Sequence, residues 1–170
     1  ESKRNFRRTS YATPFILEVD GGQPQLVCLS GATGLTGLDP ETGTEIWRSG
    51  ELPMRTVGSP VFGEGVVIAS CGSGGRGKHM VAVEPTGNGD VSESHVRFVR
   101  KQNLPYVPTP VMWEGHLYLW NDDGVVCCVD PKTGENVWRE RVGGNFSGSP
   151  VLIDGALYCI SEDGEVVVID

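Results

Sequence analysis

The sequence predicts an all-β fold, a β-propeller segment built from four-stranded antiparallel blades. A phrase recurs four times in the 170 residues: Ser or Thr followed by Pro, then three apolar stretches separated by glycine-containing turns. The four starting pairs are Thr13-Pro14, Ser59-Pro60, Thr109-Pro110 and Ser149-Pro150. Repeats of about 40 to 50 residues with several strands each are typical of propeller blades. No stretch of helical periodicity is long enough to compete with this interpretation.

Turn chemistry inside each repeat supports the same fold. The first and second apolar stretches are joined by glycine turns such as Glu114-Gly115 and Asp154-Gly155. Glycine reaches positive φ at little cost, so these pairs are typical of tight hairpins. The predicted strands are 14–17, 26–30 and 35–39 in the first repeat, 60–62, 66–70 and 80–84 in the second, 110–113, 117–121 and 125–130 in the third, and 150–153, 157–161 and 166–170 in the fourth.

A fourth strand is predicted in the first three repeats, around Trp47, Phe98 and Trp138. In the first and third repeats the links into this strand read Asp39-Pro-Glu-Thr-Gly43 and Asp130-Pro-Lys-Thr-Gly134. Proline presets φ for a turn and glycine closes it. We therefore divide the chain into blades of about 11–50, 56–101, 106–142 and 146–170, the last without its outer strand.

Residues 1–8 are predicted to be the remnant of a preceding blade's outer strand, because the spacing from each outer aromatic residue to the next Ser/Thr-Pro pair points back to this segment. The chain is thus expected to be a piece of a larger propeller. An unpaired strand edge invites pairing. A homodimer in which two half-propellers close on each other is therefore a further hypothesis.

Composition limits the classes of partner. The formal net charge is −8, which argues against nucleic acid or an anionic membrane as the main partner. No apolar stretch reaches the length of a transmembrane helix. The five cysteines and three histidines have none of the spacings typical of metal ligands, so no metal site is predicted. The cysteines fall in or at the ends of predicted strands, where free thiols behave as small apolar residues.

The links into the outer strands carry a family resemblance. The segments from Gly37 to Trp47 and from Cys128 to Trp138 resemble the A-x-D-x-x-T-G-x-x-x-W repeat of the PQQ-like propeller superfamily, which includes quinoprotein alcohol dehydrogenases and the non-enzymatic BamB-like propellers. The resemblance implies that Asp39, Gly43, Trp47, Asp130, Gly134 and Trp138 form a structural repeat motif, in which each tryptophan docks one blade on the next. The second repeat departs from the motif, with a longer link and Phe98 in the tryptophan region.

A glycine-rich segment, Gly72-Ser-Gly-Gly-Arg-Gly77-Lys78, matches the spacing of a phosphate-binding loop. Such a loop needs Ser or Thr next, where this chain has His79, and it must open a helix, where a strand is predicted. We interpret it as an enlarged hairpin loop, and Arg76, Lys78 and His79 remain a candidate ligand loop. The connector 85–94 is the one atypical insert and is expected to be an exposed loop, with a partner-binding loop as the alternative.

Adjacent cysteines, Cys127-Cys128, raise the question of a quinone cofactor, because some quinoprotein dehydrogenases carry a vicinal pair beside it. Neighbours in a strand point to opposite faces, so a bridge between them would break the strand. The acidic residues in the turns 122–124 and 162–164 could suggest calcium ligands, but their position in hairpin turns already explains them, and the spacing of an EF-hand is absent. No cofactor is therefore expected, PQQ included, and no catalytic residue can be assigned from three scattered histidines.

The sequence thus favours a non-enzymatic binding or scaffold module of a larger bacterial protein, exported to the periplasm, envelope or exterior, with a protein or polysaccharide partner. Export is implied by a resemblance of the segments 72–83 and 89–96 to secreted PQQ-like repeat proteins. Two alternatives stay open: a fragment of a quinoprotein dehydrogenase, and a sensor domain of a signalling protein.

Overall fold

The structure, a computed structural model, describes residues 9–19 and 22–170. These residues form sixteen strands and no helix, which confirms the predicted all-β fold. Within the same ranges there is no helix of the length and apolar character that crossing a membrane requires. The outer strand predicted within residues 1–8 lies outside the described residues.

Four sheets follow one another along the chain, and consecutive strands of each form an antiparallel meander; a short strand from the second repeat is added in parallel to the first sheet. The first contains β1 (Phe15–Leu17), β2 (Gln25–Ser30), β3 (Gly34–Leu38) and β4 (Glu45–Arg48). The second contains β5 (Val61–Gly63), β6 (Val66–Gly72), β7 (Gly77–Val83) and, after the short β8 (Gly89–Asp90), β9 (Val96–Arg100). The third contains β10 (Val111–Trp113), β11 (His116–Trp120), β12 (Val125–Val129) and β13 (Asn136–Arg141). The fourth contains the described strands β14 (Val151–Ile153), β15 (Ala156–Ile160) and β16 (Val166–Ile169). We call these sheets blades one to four.

Two-residue turns join the first and second strands of blades two to four. Each pairs an acidic residue with a glycine, and both have positive φ: 50° and 76° at Glu64-Gly65, and 48° and 87° at Asp154-Gly155. Positive φ at both central positions defines the type I′ turn, whose twist matches that of the flanking strands. The acidic residue therefore adopts a backbone conformation that its side chain disfavours, and glycine carries the second position without strain.

Three apolar cores lie between successive blades. On β6, Val67 and Ala69 pack in the core shared with blade one, while Val66 and Ile68 pack in the core shared with blade three. All four side chains are fully buried. A strand that is covered on both faces has no polar alternation, which explains why the second and third strands read as nearly continuous apolar runs.

The recurrent Ser/Thr-Pro pairs form a ladder of hydrogen bonds between blades. The N–H of Thr13 donates to the hydroxyl of Ser59 (2.9 Å), that of Ser59 to the hydroxyl of Thr109 (3.0 Å), and that of Thr109 to the hydroxyl of Ser149 (2.9 Å). Each hydroxyl thus accepts a hydrogen bond from a backbone N–H of the preceding blade, just before the first strand of that preceding blade. The repeat of Ser or Thr at this position follows from the need for a short side-chain acceptor.

The connector 85–94 differs from the exposed loop that we expected. Within it β8 pairs in parallel with β4 and extends the first sheet to five strands. Val91 is buried in the core between blades one and two, and its N–H donates to the carbonyl oxygen of Arg48 (2.9 Å). The segment 85–94 therefore forms a strap from blade two onto blade one. A single apolar residue, Val91, in a polar segment is too weak a sequence signal to predict this contact.

The Asp-x-x-Thr-Gly links of blades one and three have the same geometry. The carboxylate of Asp39 accepts the N–H groups of Glu41 (2.8 Å) and Thr42 (3.1 Å), and the N–H of Gly43 donates to the carbonyl oxygen of Asp39 (2.8 Å). In blade three Asp130 accepts the N–H of Lys132 (2.8 Å), and its carbonyl oxygen accepts that of Gly134 (2.8 Å). Glycine is required because φ is 70° at Gly43 and 77° at Gly134.

These turns lead us to expect a loss of stability in acid. Backbone hydrogen bonds from Thr42 and Glu41 hold the pKa of Asp39 below its ordinary 3.8, and hydrogen bonds from Ser92 lower the pKa of Asp90 likewise. A lowered pKa contributes stability above the unfolded value, and this contribution is lost as pH falls through the folded pKa. Urea unfolding followed from pH 6 to pH 2 should show a steeper loss for the wild type than for Asp39→Asn. Parallel curves would contradict the assignment.

Trp47 shows how an outer strand closes against the next blade. Its side chain is fully buried among residues of blades one and two, and its ring nitrogen donates to the side-chain oxygen of Gln25 (2.7 Å). The amide nitrogen of Gln25 donates in turn to the carbonyl oxygen of Pro85 in blade two (3.1 Å). The ring lies over Gly37, where an added Cβ would stand 2.2 Å from the indole nitrogen. Trp138 is half-buried and packs against the core between blades three and four.

Candidate ligand-binding groove on the loop face

One end of the blades collects most of the long loops. Because successive strands are antiparallel, the turns between second and third strands lie at the same end as the connectors that enter the next blade. The turns are 31–33, 73–76, 121–124 and 161–164, and the connectors are 49–60, 101–110 and 142–150. We call this end the loop face. Loops held on a rigid scaffold are the usual place for binding residues.

Backbone hydrogen bonds fix the loop face around blades two and three. The N–H of Gly77 donates to the carbonyl oxygen of Leu104 (3.1 Å), which ties the glycine-rich hairpin to the connector 101–110. The carboxylate of Asp122 accepts the N–H groups of Tyr106 (2.7 Å) and Val107 (3.1 Å) on the same connector. The connector is therefore held from both sides.

A groove of about 300 Å³ lies between the glycine-rich hairpin and the turn 121–124. Its charged and polar lining consists of Arg76, Lys78, Lys101, Gln102, Asn103, Asn121, Asp122 and Asp123. We call this the loop-face groove. Within the described part of the chain, Arg76, Lys78 and Lys101 make no ion pair and no side-chain hydrogen bond. Three cations without a partner therefore converge on one concavity of an acidic protein.

One carboxylate on the acidic side of the groove is engaged by the backbone. Asp122 is buried, and its carboxylate is already engaged by two backbone N–H groups. Asn121 is also buried, and its side-chain oxygen has no hydrogen-bond partner among the described residues. The other carboxylate of the lining belongs to Asp123, so the groove holds the three cations Arg76, Lys78 and Lys101 against two carboxylates, one of which is engaged by backbone N–H groups.

His79, the third member of the predicted ligand loop, lies apart from Arg76 and Lys78. It lines a neighbouring concavity of about 900 Å³ together with Arg100, Lys101 and Asn136. Burial, and then the charge of Lys101, lower the pKa of His79 below its ordinary value. At neutral pH the imidazole is therefore protonated to a smaller extent than that of an ordinary histidine. Arg100 is held there by hydrogen bonds to the carbonyl oxygen of Gly134 and the side chain of Asn136.

Sequence reasoning missed Lys101 and Asp122. Lys101 follows an outer strand and is far from the glycine-rich loop along the sequence. Asp122 was explained as part of a hairpin turn, which it is, but its carboxylate also fixes the connector from the preceding blade. The repeat could have indicated that Lys101 and Asp122 lie near the glycine-rich loop, because the turn between the second and third strands of a blade lies at the same end as the connector between blades.

The glycine-rich segment forms the predicted hairpin between the second and third strands of blade two. Gly77 opens β7, so no helix N-terminus faces the loop. Gly74 and Gly75 have φ of 61° and 68°, and the N–H of Ser73 donates to the carbonyl oxygen of Arg76 (3.0 Å). The loop is a closed turn that projects Arg76.

The adjacent cysteines do not fit the vicinal pair of a quinone site. Cys127 packs in the core between blades two and three, whereas Cys128 lies on the opposite face of β12 beside Tyr118. Both are free, and burial raises the pKa of both thiols. Nor do the described residues bring three His, Cys, Asp or Glu side chains together as ligands for a metal ion.

Solved structures share this architecture. BamB from Moraxella catarrhalis matches with a TM-score of 0.68 and 21% identity over 92% of this chain and 42% of its own. The computationally designed Ika4 protein matches with a TM-score of 0.64 and 11% identity over 99% of this chain and 92% of its own. Quinohemoprotein alcohol dehydrogenase from Comamonas testosteroni matches with a TM-score of 0.62 and 15% identity over 86% of this chain and 32% of its own.

These identities show a common fold only. The chain spans less than half the length of the BamB and dehydrogenase chains. No curated protein sequence matches it. A sequence model of the family described as outer membrane protein assembly factor BamB matches residues 81–170, which is more than half of the chain. The chain therefore belongs to the BamB family, within the PQQ-like repeat β-propellers.

Proposed function

We propose that this chain is a non-enzymatic binding or scaffold module of a larger bacterial protein of the cell envelope, and that it holds a partner on its loop face. The loop-face groove is the contact site. The partner presents carboxylate groups, most simply as acidic side chains of a protein. An acidic polysaccharide offers the same groups and is the second source that the experiment below distinguishes.

One observation carries this proposal: three cations without a partner line a groove whose backbone is fixed on both sides. A long flexible cation that is not paired within its own protein is free to pair with a ligand, and a concave site between low-dielectric walls strengthens its field. The fixed connector lowers the entropy cost of binding, because less of the site must become ordered.

The envelope location is supported by the family, whose description names an outer membrane assembly factor. The same description supports a protein partner, since an assembly factor acts by contact with other proteins. The net charge of −8 supports a local rather than an extended contact, because a long polyanion would be repelled by most of the surface.

A fragment of a quinoprotein dehydrogenase is the alternative enzyme, and the fold that this chain shares with a solved quinohemoprotein alcohol dehydrogenase supports it. The cysteine geometry described above does not favour it. The full-length protein incubated with PQQ and Ca²⁺ should then show neither quinone absorbance nor dye-linked alcohol oxidation. A sensor domain is the other alternative, and no side-chain cluster in the described residues favours it.

Binding of two short probes tests the proposal. Hexaglutamate represents an acidic protein segment, and trigalacturonate represents an acidic polysaccharide. We expect hexaglutamate to bind and the affinity to fall about tenfold in Arg76→Ala/Lys78→Ala, a loss of about 1.4 kcal/mol. Isothermal titration calorimetry measures the affinity of each probe for the wild type and the double variant. Measured at low and at physiological ionic strength, the affinity should fall as salt is added.

A matched control separates the groove from overall charge. Arg139 and Arg141 are exposed on β13 and line no part of the groove. Arg139→Ala/Arg141→Ala removes the same charge and should leave the affinity unchanged. Equal losses in both double variants, or no binding of hexaglutamate, would overturn the proposal. Tighter binding of trigalacturonate would identify a polysaccharide as the partner instead.

A further inference from the structure

One buried side chain of the loop-face groove, Asn121, has an amide that the protein leaves unbonded. Asn121 lines the groove and is 4% exposed. Within the described part of the chain its side-chain amide makes no hydrogen bond, and its oxygen is fully buried. Buried polar groups in proteins almost always have a partner. An amide without one, placed at a groove, therefore points to a group that a ligand supplies.

The matching turn of blade four shows that the fold does not require this amide. In blade three the N–H of Gly124 donates to the carbonyl oxygen of Asn121 (3.0 Å). In blade four the N–H of Gly164 donates to that of Ser161 at the same distance. The Ser161 hydroxyl also accepts the N–H of Glu165 (3.1 Å) and so closes its own turn. Asparagine at the same position makes no such bond, which leaves its amide available.

The chemistry of this amide restricts the ligand further than the charges do. A carboxylate satisfies the cations Arg76, Lys78 and Lys101, but it only accepts hydrogen bonds and cannot donate to the oxygen of Asn121. The ligand must therefore carry a donor close to its carboxylates. A polypeptide carries an N–H and a C=O at each residue except proline. In an extended chain both groups of one residue lie on the same side, so a single amide can pair with both.

The amide is also free to turn toward a ligand. The last side-chain torsion of asparagine is broad, so either end of the amide can face the groove. Because neither the oxygen nor the nitrogen of Asn121 bonds another described group, this rotation breaks no hydrogen bond of the protein. The backbone beneath it stays fixed, since the N–H of Asn121 donates to the carbonyl oxygen of Val125 (2.8 Å).

We propose that Asn121 holds the main chain of an extended acidic polypeptide in the loop-face groove, an inference that rests on the proposed function. The side-chain oxygen accepts the N–H of one ligand residue, and the side-chain nitrogen donates to the C=O of the same residue. Carboxylates of that segment pair with Arg76, Lys78 and Lys101. The groove thus selects a polypeptide by its backbone as well as by its charge, and Asn121 is a specificity-determining residue.

Asn121→Ser tests this role, because serine occupies the same position in blade four. Calorimetry with acetylated hexaglutamate should show an affinity about tenfold lower than that of the wild type, the effect of losing two hydrogen bonds. The urea midpoint should not fall, since the amide makes no bond within the described chain. Asn88→Ser is the matched control: Asn88 is exposed and lines no part of the groove, so its replacement should leave the affinity unchanged.

A second ligand separates a backbone contact from an effect on the shape of the groove. Acetylated hexaglutamate methylated at every peptide nitrogen keeps its carboxylates but has no peptide N–H to donate. Asn121→Ser should weaken binding of this analogue by less than about threefold, because methylation has already removed the paired contact.

The outcomes distinguish this inference from the proposed function. Equal fold losses for the two peptides, or an unchanged affinity of Asn121→Ser for the parent peptide, would overturn the role of Asn121. If Arg76→Ala/Lys78→Ala still weakened binding in that case, the proposed function would stand without it. A wild type that binds neither peptide would overturn both.

Discussion

Replacing Trp47 with alanine will lower the free energy of unfolding by about 3–5 kcal/mol, the usual cost of removing a large buried aromatic side chain. The indole is fully buried between blades one and two, and its N–H is bonded to Gln25. Its loss also leaves the side-chain oxygen of a buried Gln25 without its donor. Urea denaturation with linear extrapolation measures the change.

Trp138→Ala is the control for this prediction. Trp138 holds the same motif position in blade three but is half-buried, with its ring centroid 6.2 Å from that of Tyr118. It buries less area, so we expect a loss of about 1–2 kcal/mol. A larger loss at Trp47 would show that burial in the core between blades sets the contribution of the motif tryptophan. Equal losses at the two positions would contradict this explanation.

Gly124→Ala should lower the free energy of unfolding by about 3 kcal/mol, from two causes. The backbone at Gly124 has φ of 72°, which disfavours any residue with a Cβ. The new Cβ would also stand 2.1 Å from the carbonyl oxygen of Gly143, so the connector into blade four would have to move. Thermal and urea unfolding both report the loss.

Gly164→Ala separates these two causes. Gly164 occupies the same turn in blade four with φ of 86°, but nothing lies within 4 Å of an added Cβ. Its substitution therefore costs only the backbone strain, about 1–2 kcal/mol. If Gly124→Ala were no worse than Gly164→Ala, the close approach of turn and connector would not contribute to stability.

Local features could be predicted from the sequence because they depend on neighbours in the chain. The type I′ turns require glycine at Gly65 and Gly155, and the Asp39 and Asp130 turns require a short acceptor with glycine after it. Each of these signals lies within a few residues. The same local pattern occurs four times in the chain, and this repetition made the all-β blade architecture predictable from the sequence.

Contacts between blades could not be predicted in the same way. The strap formed by β8 depends on Val91 reaching a core in another blade, and the ladder of Ser/Thr hydroxyls depends on the distance between successive blades. The loop-face groove unites Arg76 with Lys101 and Asp122 from a connector and a neighbouring blade. Such distances are set by how sheets stack, which a one-dimensional repeat does not contain.

In our proposal, electrostatics give the loop-face groove its selectivity. The chain is acidic overall, so anions approach most of its surface against repulsion. Screening limits that repulsion to about 8 Å at physiological salt. In our proposal a short acidic segment such as hexaglutamate can therefore reach Arg76 and Lys78, whereas a long polyanion meets acidic surface on either side. We therefore expect a short acidic segment to bind in preference to nucleic acid.

An NMR titration of the ¹⁵N-labelled chain with hexaglutamate tests the central claim most directly. The account predicts shift changes confined to residues 75–78, 101–103 and 121–123, which line the loop-face groove. It also predicts that these changes vanish in Arg76→Ala/Lys78→Ala. Shift changes centred instead on the inner strands, around Phe15, Phe62 and Met112, would contradict it and place the binding surface in the centre of the propeller.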